Sequence, residues 1–159
     1  MTRCIDYIFT TLVLSGLLLG CASTLPIAPL QMTTFQTSSG PVKVAKAEID
    51  FCQTGDLKAF NEAYEKAGNR MNREHRIPGE SCSSVASQLK AIPGTRYEYD
   101  KLGCMKWRDY DSCYELARIS NNPSVPREKQ REAETIVVKA CLSGDRKLLR
   151  DKEDYCFMK

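Results

Sequence analysis

The sequence predicts an all-α fold, either a small disulfide-stapled bundle or a short stack of antiparallel αα-hairpins. Three observations point there. Apolar residues recur at helical spacing, as in Leu57, Phe60, Tyr64 and Ala67. The helix-to-helix signature Gly-Asp stands twice, at Gly55-Asp56 and Gly144-Asp145. Of eight cysteines, Cys4 and Cys21 lie near the start. That leaves Cys52, Cys82, Cys104, Cys113, Cys141 and Cys156, an even set as a three-disulfide framework requires.

Val42 to Thr54 (VKVAKAEIDFCQT) reads as a first helix, closed by Gly55 where a left-handed residue is wanted. Asp56 is a strong N-cap for Leu57 to Ala67, which Gly68-Asn69 ends. Asn69 to Glu80 is polar, contains Pro78-Gly79, and reads as a loop. Ser81 to Ile92 reads as a helix with its serines as N-caps, stopped by Pro93-Gly94. Arg96 to Asp100 (RYEYD) alternates like a short extended piece, yet helix is the preferred reading. Cys104 to Ile119 is helical and stops at Asn121-Asn122-Pro123. Pro126 suits the first turn of a long helix over Arg127 to Ser143, with Ile136, Val137, Ala140 and Cys141 towards its end. Another helix follows Gly144-Asp145.

Six cysteines allow fifteen pairings, and proximity along the chain ranks 52–82, 104–113 and 141–156 first. In one unbroken helix Cys104 and Cys113 would face opposite ways. Their bridge therefore requires a turn within Met105 to Ser112, with Asp109 or Asp111 capping the helix after it. Cys141 and Cys156 meet only if the last helix breaks and its end folds back. Zinc is not expected: no Cys-x-x-Cys occurs, and the single histidine, His75, has no second ligand nearby.

The charges are mixed, with a net charge of +3 that loss of Arg3 and Asp6 would not alter. No concentrated basic face is present, so nucleic-acid binding is not expected. The chain starts like a secretory signal: Arg3, then an apolar run from Tyr7 to Leu19. That run is shorter than the roughly 17–25 residues a membrane span needs. Ala22 to Pro41 (ASTLPIAPLQMTTFQTSSGP) is uncharged and rich in Pro, Ser, Thr and Gln. It reads as a flexible tether spanning roughly 25 Å root-mean-square, although Leu30 and Phe35 are able to dock on the domain. The expected organisation is a signal over 1–20, a tether over 21–41 and one helical domain over 42–159.

Leu18-Leu19-Gly20-Cys21 resembles the lipobox of bacterial lipoproteins. The resemblance implies cleavage before Cys21, a diacylglycerol thioether on its sulfur and palmitate-type acylation of the new amine. Two or more chains anchor stably where one does not. The residue after Cys21 is Ala22, not the Asp that in such proteins favours inner-membrane retention. The implied address is thus the outer membrane, with the domain in the periplasm. Simple secretion or inner-membrane anchoring are the alternatives. Either cleaved form matures where disulfides persist. Cys52-Gln53-Thr54-Gly55-Asp56 and Cys141-Leu142-Ser143-Gly144-Asp145 resemble the cysteine-rich Sel1-like repeats, relatives of the tetratricopeptide repeats. That branch carries a second cysteine eight residues on, where this chain has Phe60 and Leu149.

No catalytic set emerges. His75 with Glu74 is a weak acid–base pair, because adjacent side chains diverge. Ser81-Cys82-Ser83-Ser84 lacks a nucleophile elbow. Tyr97, Tyr99, Trp107, Tyr110 and Tyr114 make an aromatic middle, mostly core, from which Trp107 and Tyr110 are the expected protein-binding surface. The expected function is non-enzymatic: an envelope lipoprotein, membrane-bound through Cys21, acting on an envelope protein as adaptor, inhibitor or exclusion factor. No cofactor, metal or small-molecule ligand is expected. The alternatives are a small cell-wall- or peptide-directed enzyme using Glu74 and His75, or a purely structural envelope linker.

Overall fold

The computed structural model describes residues 27–69 and 75–143. Cys21, Glu74, Gly144-Asp145 and Cys156 lie outside them, and with them the lipidation site, the acid–base pair, the second Gly-Asp turn and the 141–156 bridge. Cys141 itself is disulfide-bonded.

The described chain is a small helical bundle with one two-stranded sheet. Strand β1 (Met32–Phe35) pairs antiparallel with β2 (Val42–Ala45), Met32 opposite Ala45 and Phe35 opposite Val42. The connecting turn is closed by Gly40 N–H to the Thr37 carbonyl at 3.2 Å. Helices follow as α1 (Lys46–Thr54), α2 (Leu57–Lys66), α3 (Pro78–Gln88) and α4 (Pro93–Leu102), then a single π-helical turn at Gly103–Trp107, then α5 (Tyr110–Ser120) and α6 (Arg127–Leu142). Among the described residues no helix is long and apolar enough to cross a membrane.

Four expectations are corrected. The first helix begins at Lys46, not Val42, because β-branched Val42 and Val44 suit a pleated strand once a partner exists. Residues 28–35, read from composition as flexible tether, supply that partner: β1 pairs, Leu30 packs near Phe51 and Phe60, and Phe35 packs near Val44 and Leu89. Ser81 is not an N-cap. Helix α3 starts three residues earlier with Pro78 at its first turn, and Ser81 is fully buried. Pro93 likewise opens α4 rather than merely ending α3, since a proline without N–H fits a first turn.

Other local expectations match the structure. Gly55 takes the left-handed conformation, φ 78°, and its N–H reaches the Phe51 carbonyl at 2.8 Å. Asp56 Oδ1 accepts from Ala59 N–H at 2.9 Å. Arg108 turns the chain with φ 55°, and Asp109 then caps α5, accepting from Ser112 N–H at 3.0 Å. That turn lets Cys104 and Cys113 bond with Cα atoms 4.7 Å apart. Cys52 and Cys82 bond at 4.8 Å and tie α1 to α3.

The core has three clusters. Phe51, Phe60 and Tyr64 join α1 to α2, with the Phe51 and Phe60 rings stacked at 4.6 Å. Val44, Ile49, Val85 and Leu89 join β2, α1 and α3. Tyr97, Leu116, Ala133, Ile136 and Val137 join α4, α5 and α6 around the 104–113 bridge. Gly103 sits where α3, α5 and the π turn converge. A Cβ there would stand 2.2 Å from Ser112 Oγ and 3.0 Å from Cys82 Cβ. Gly103→Ala should therefore cost about 1–3 kcal/mol, read as a lowered urea midpoint. An unchanged midpoint would mean this junction is looser than the contacts imply.

Candidate binding cleft

Helix α4 carries Arg96, Tyr97 and Asp100 towards α5. Because Tyr97, Asp100 and Cys104 follow at spacings of three and four, Asp100 lies on the same stripe as two core residues. It is 2 % exposed. Arg96 Nη2 stands 2.6 Å from Glu115 Oε2 of α5, and Arg96 Nε stands 3.4 Å from Asp100 Oδ2. Arg118 completes the cluster, its Nη1 donating to Glu115 at 3.1 Å. Neither Arg96 Nε nor Asp100 Oδ2 makes a hydrogen bond. Burial pushes the Asp100 carboxyl up to about 7; Arg96 opposes this, and Glu115 and Asp109 add to it.

This cluster forms one wall of a cleft of about 420 Å³, closed on the other side by the Asn122–Pro126 connection and by Lys129 in the first turn of α6. A second depression, about 560 Å³, shares Lys90, Arg96, Asp100 and Glu115 with it and runs along Ser83, Ser84 and Ser87 of α3. The two adjoin at these four residues as a trough with the ionic cluster between its parts. Tyr97 underlies the first part. Burial and the Glu132 carboxylate hold its phenol above the ordinary range, and Lys129 Nζ lies 5.4 Å from its ring. Glu132 is paired with Lys101 Nζ at 2.5 Å, and this hydrogen bond lowers the one group and raises the other.

Trp107, one of the two expected protein-binding residues, makes contacts within the chain. Its indole N–H donates to the Cys52 carbonyl at 2.6 Å, and Lys106 Nζ reaches the Gln53 carbonyl, also at 2.6 Å. Both are among the last carbonyls of α1, which the helix itself leaves unmet. The ring lies against Gly55, where a Cβ would come 2.6 Å from Trp107 Cη2. Trp107 is thus half-buried and caps α1 from another part of the chain. Trp107→Phe keeps an aromatic ring but removes the donor and part of the indole's bulk. It should cost about 1–2 kcal/mol in urea unfolding, and an effect below a few tenths would contradict the capping role. Tyr110 is half-buried and stacks on Tyr114 at 5.9 Å. His75 is exposed.

Among the described residues, no group of three or more His, Cys, Asp or Glu is arranged to hold a metal ion. Comparison with known protein families, curated proteins and solved structures finds no match. Sequence reasoning missed the Arg96–Asp100–Glu115 cluster. The usable signal was the i,i+4 spacing of Arg96 and Asp100 on a stripe that also holds Tyr97 and Cys104.

Proposed function

We propose that the chain is a lipid-anchored envelope lipoprotein, held on the outer membrane through Cys21. Its disulfide-stapled domain acts in the periplasm as a non-enzymatic protein-binding module: an adaptor, inhibitor or exclusion factor. The observation that carries this reading is the pairing of Cys52 with Cys82 and of Cys104 with Cys113 inside the core. Such bonds suit an oxidising compartment, the one to which the Leu18-Leu19-Gly20-Cys21 motif would direct the chain. The trough supports binding, since it offers charged and hydroxyl groups along an extended line.

The folded region reaches back at least to Ala28, whose N–H donates to the Lys66 carbonyl at 3.0 Å. A binding experiment therefore needs the full chain, because a truncation at Val42 would remove β1. Cells producing the wild-type protein should incorporate labelled palmitate, and Cys21→Ser should abolish the label. A photo-reactive residue at Ser84 in the trough should cross-link one defined envelope protein. Label retained in Cys21→Ser, or a cross-link pattern matching that of a probe placed at exposed Lys58 on α2, would overturn the reading.

A further inference from the structure

We propose that the α4–α5 cleft recognises an acidic peptide segment of the partner, gripping a carboxylate with Arg96, Arg118, Lys90 and Lys129. This rests on the protein-binding reading above and gives it a chemistry.

The charge inventory comes first. Four cations line the cleft against two carboxyls, Asp100 and Glu115. Glu115 is already held by two arginines. Lys90 is exposed and has no ion pair among the described residues, and Lys129 lies over the Tyr97 ring, where its charge also helps lower the Glu132 carboxyl without a direct ion pair. The cleft therefore presents unspent positive charge.

The second observation is independent of surface charge. Asp100 is 2 % exposed, lines the cleft, and its Oδ2 is met by Arg96 Nε only in a loose ion pair at 3.4 Å. Buried polar atoms are nearly always well hydrogen-bonded, and so loose a pairing asks for a reason. Burial raises this carboxyl to about 7, so below that pH Asp100 adds little competing negative charge to the wall. An incoming carboxylate would then meet four cations and one ionised carboxylate, Glu115, whose charge Arg96 and Arg118 already offset. Arginine forks suit carboxylates, which they bind with charge-assisted hydrogen bonds.

Shape selects a peptide over a small anion. Ile119, Val125 and Pro126 give the cleft apolar wall for side-chain methylenes; the adjoining depression adds the Ser84 and Ser87 hydroxyls for a main chain but also Glu80 and Asp111 against Arg76, so the carboxylate itself is gripped in the α4–α5 cleft. Arg-cluster capture of acidic motifs is a recurring mode of peptide recognition.

The test uses the full chain, 15N-labelled in detergent micelles, titrated with a synthetic peptide of alternating Glu and Ala and with its Gln counterpart. The Glu peptide should shift amide signals in the first half of α4, the end of α5 and residues 122–126. The Gln peptide should bind at least roughly tenfold more weakly. Arg118→Glu combined with Lys129→Glu should weaken the Glu peptide by roughly tenfold or more, and Lys90→Glu, at an exposed site, by a few-fold. Asp100→Asn should retain binding. Equal affinity for both peptides, full affinity in the charge-reversed double variant, or displacement of the peptide by an equal concentration of inorganic phosphate would overturn the assignment. So would absence of peptide binding while the Ser84 cross-link persists; the module reading would then stand without this chemistry. Peptide binding with no cross-link would support the cleft assignment and count against the module reading.

Discussion

Replacing Cys52 and Cys82 together by Ala should lower unfolding stability by roughly 3–4 kcal/mol, the cost expected from the loop their bridge closes. The two residues are separated by 30 positions, against 9 for Cys104 and Cys113. A longer loop restricts the unfolded chain more, so the second bridge should contribute less, about 2.5–3 kcal/mol. The 52–82 bridge fastens α1 to α3. The 104–113 bridge closes a local turn and is itself buried in the cluster that joins α4, α5 and α6, so its removal also costs packing. Urea unfolding of the two double variants, as full chains without reductant, would measure both. A loss below about 1 kcal/mol for the 52–82 variant would show that packing alone holds α1 to α3.

Stability should also depend on pH through Asp100. An ordinary aspartate in the unfolded chain releases its proton near pH 4, whereas the folded carboxyl holds it to about 7. Between those values the folded chain binds one more proton than the unfolded chain. Stability therefore falls as pH rises from about 4 to about 7 and levels off above. Burial is the main cause, and the groups facing the carboxyl are Arg96 on its own helix, Glu115 on α5 and Asp109 at the α5 cap. The full interval corresponds to as much as about 4 kcal/mol. Asp100→Asn keeps the shape and the neutral state, so its stability should be nearly flat across this range and exceed wild type above pH 7. Parallel curves for the two proteins would show that Asp100 ionises freely in the fold.

Legibility in the sequence followed how local each determinant is. Gly55-Asp56 could be read because a left-handed glycine and a capping aspartate act within one turn. The turn between Cys104 and Cys113 could be read because a nine-residue separation cannot be bridged on a straight helix; Arg108 and Asp109 supply it. The β1–β2 hairpin was hidden because Met32–Phe35 carries no strong pattern of its own and gains a reason to be extended only from Val42–Ala45. Pro78 and Pro93 were ambiguous because proline suits both the end of one helix and the first turn of the next. The cleft was hidden for another reason. Arg96, Asp100 and Glu115 look like ordinary surface charges until α4 is packed against α5, and only then does one carboxyl become buried. Trp107 reads in sequence as part of an aromatic middle; that its indole N–H meets the end of α1, far away in the chain, has no local signature.

The account turns on where the chain matures and how it is held there. Intact mass of the protein extracted from membranes, alkylated without reductant, tests this most directly. The expected species begins at Cys21, carries a diacylglycerol and an amide-linked acyl chain, and takes up no alkylating agent. A species beginning at Met1, with adducts on Cys52 and Cys82, would contradict it.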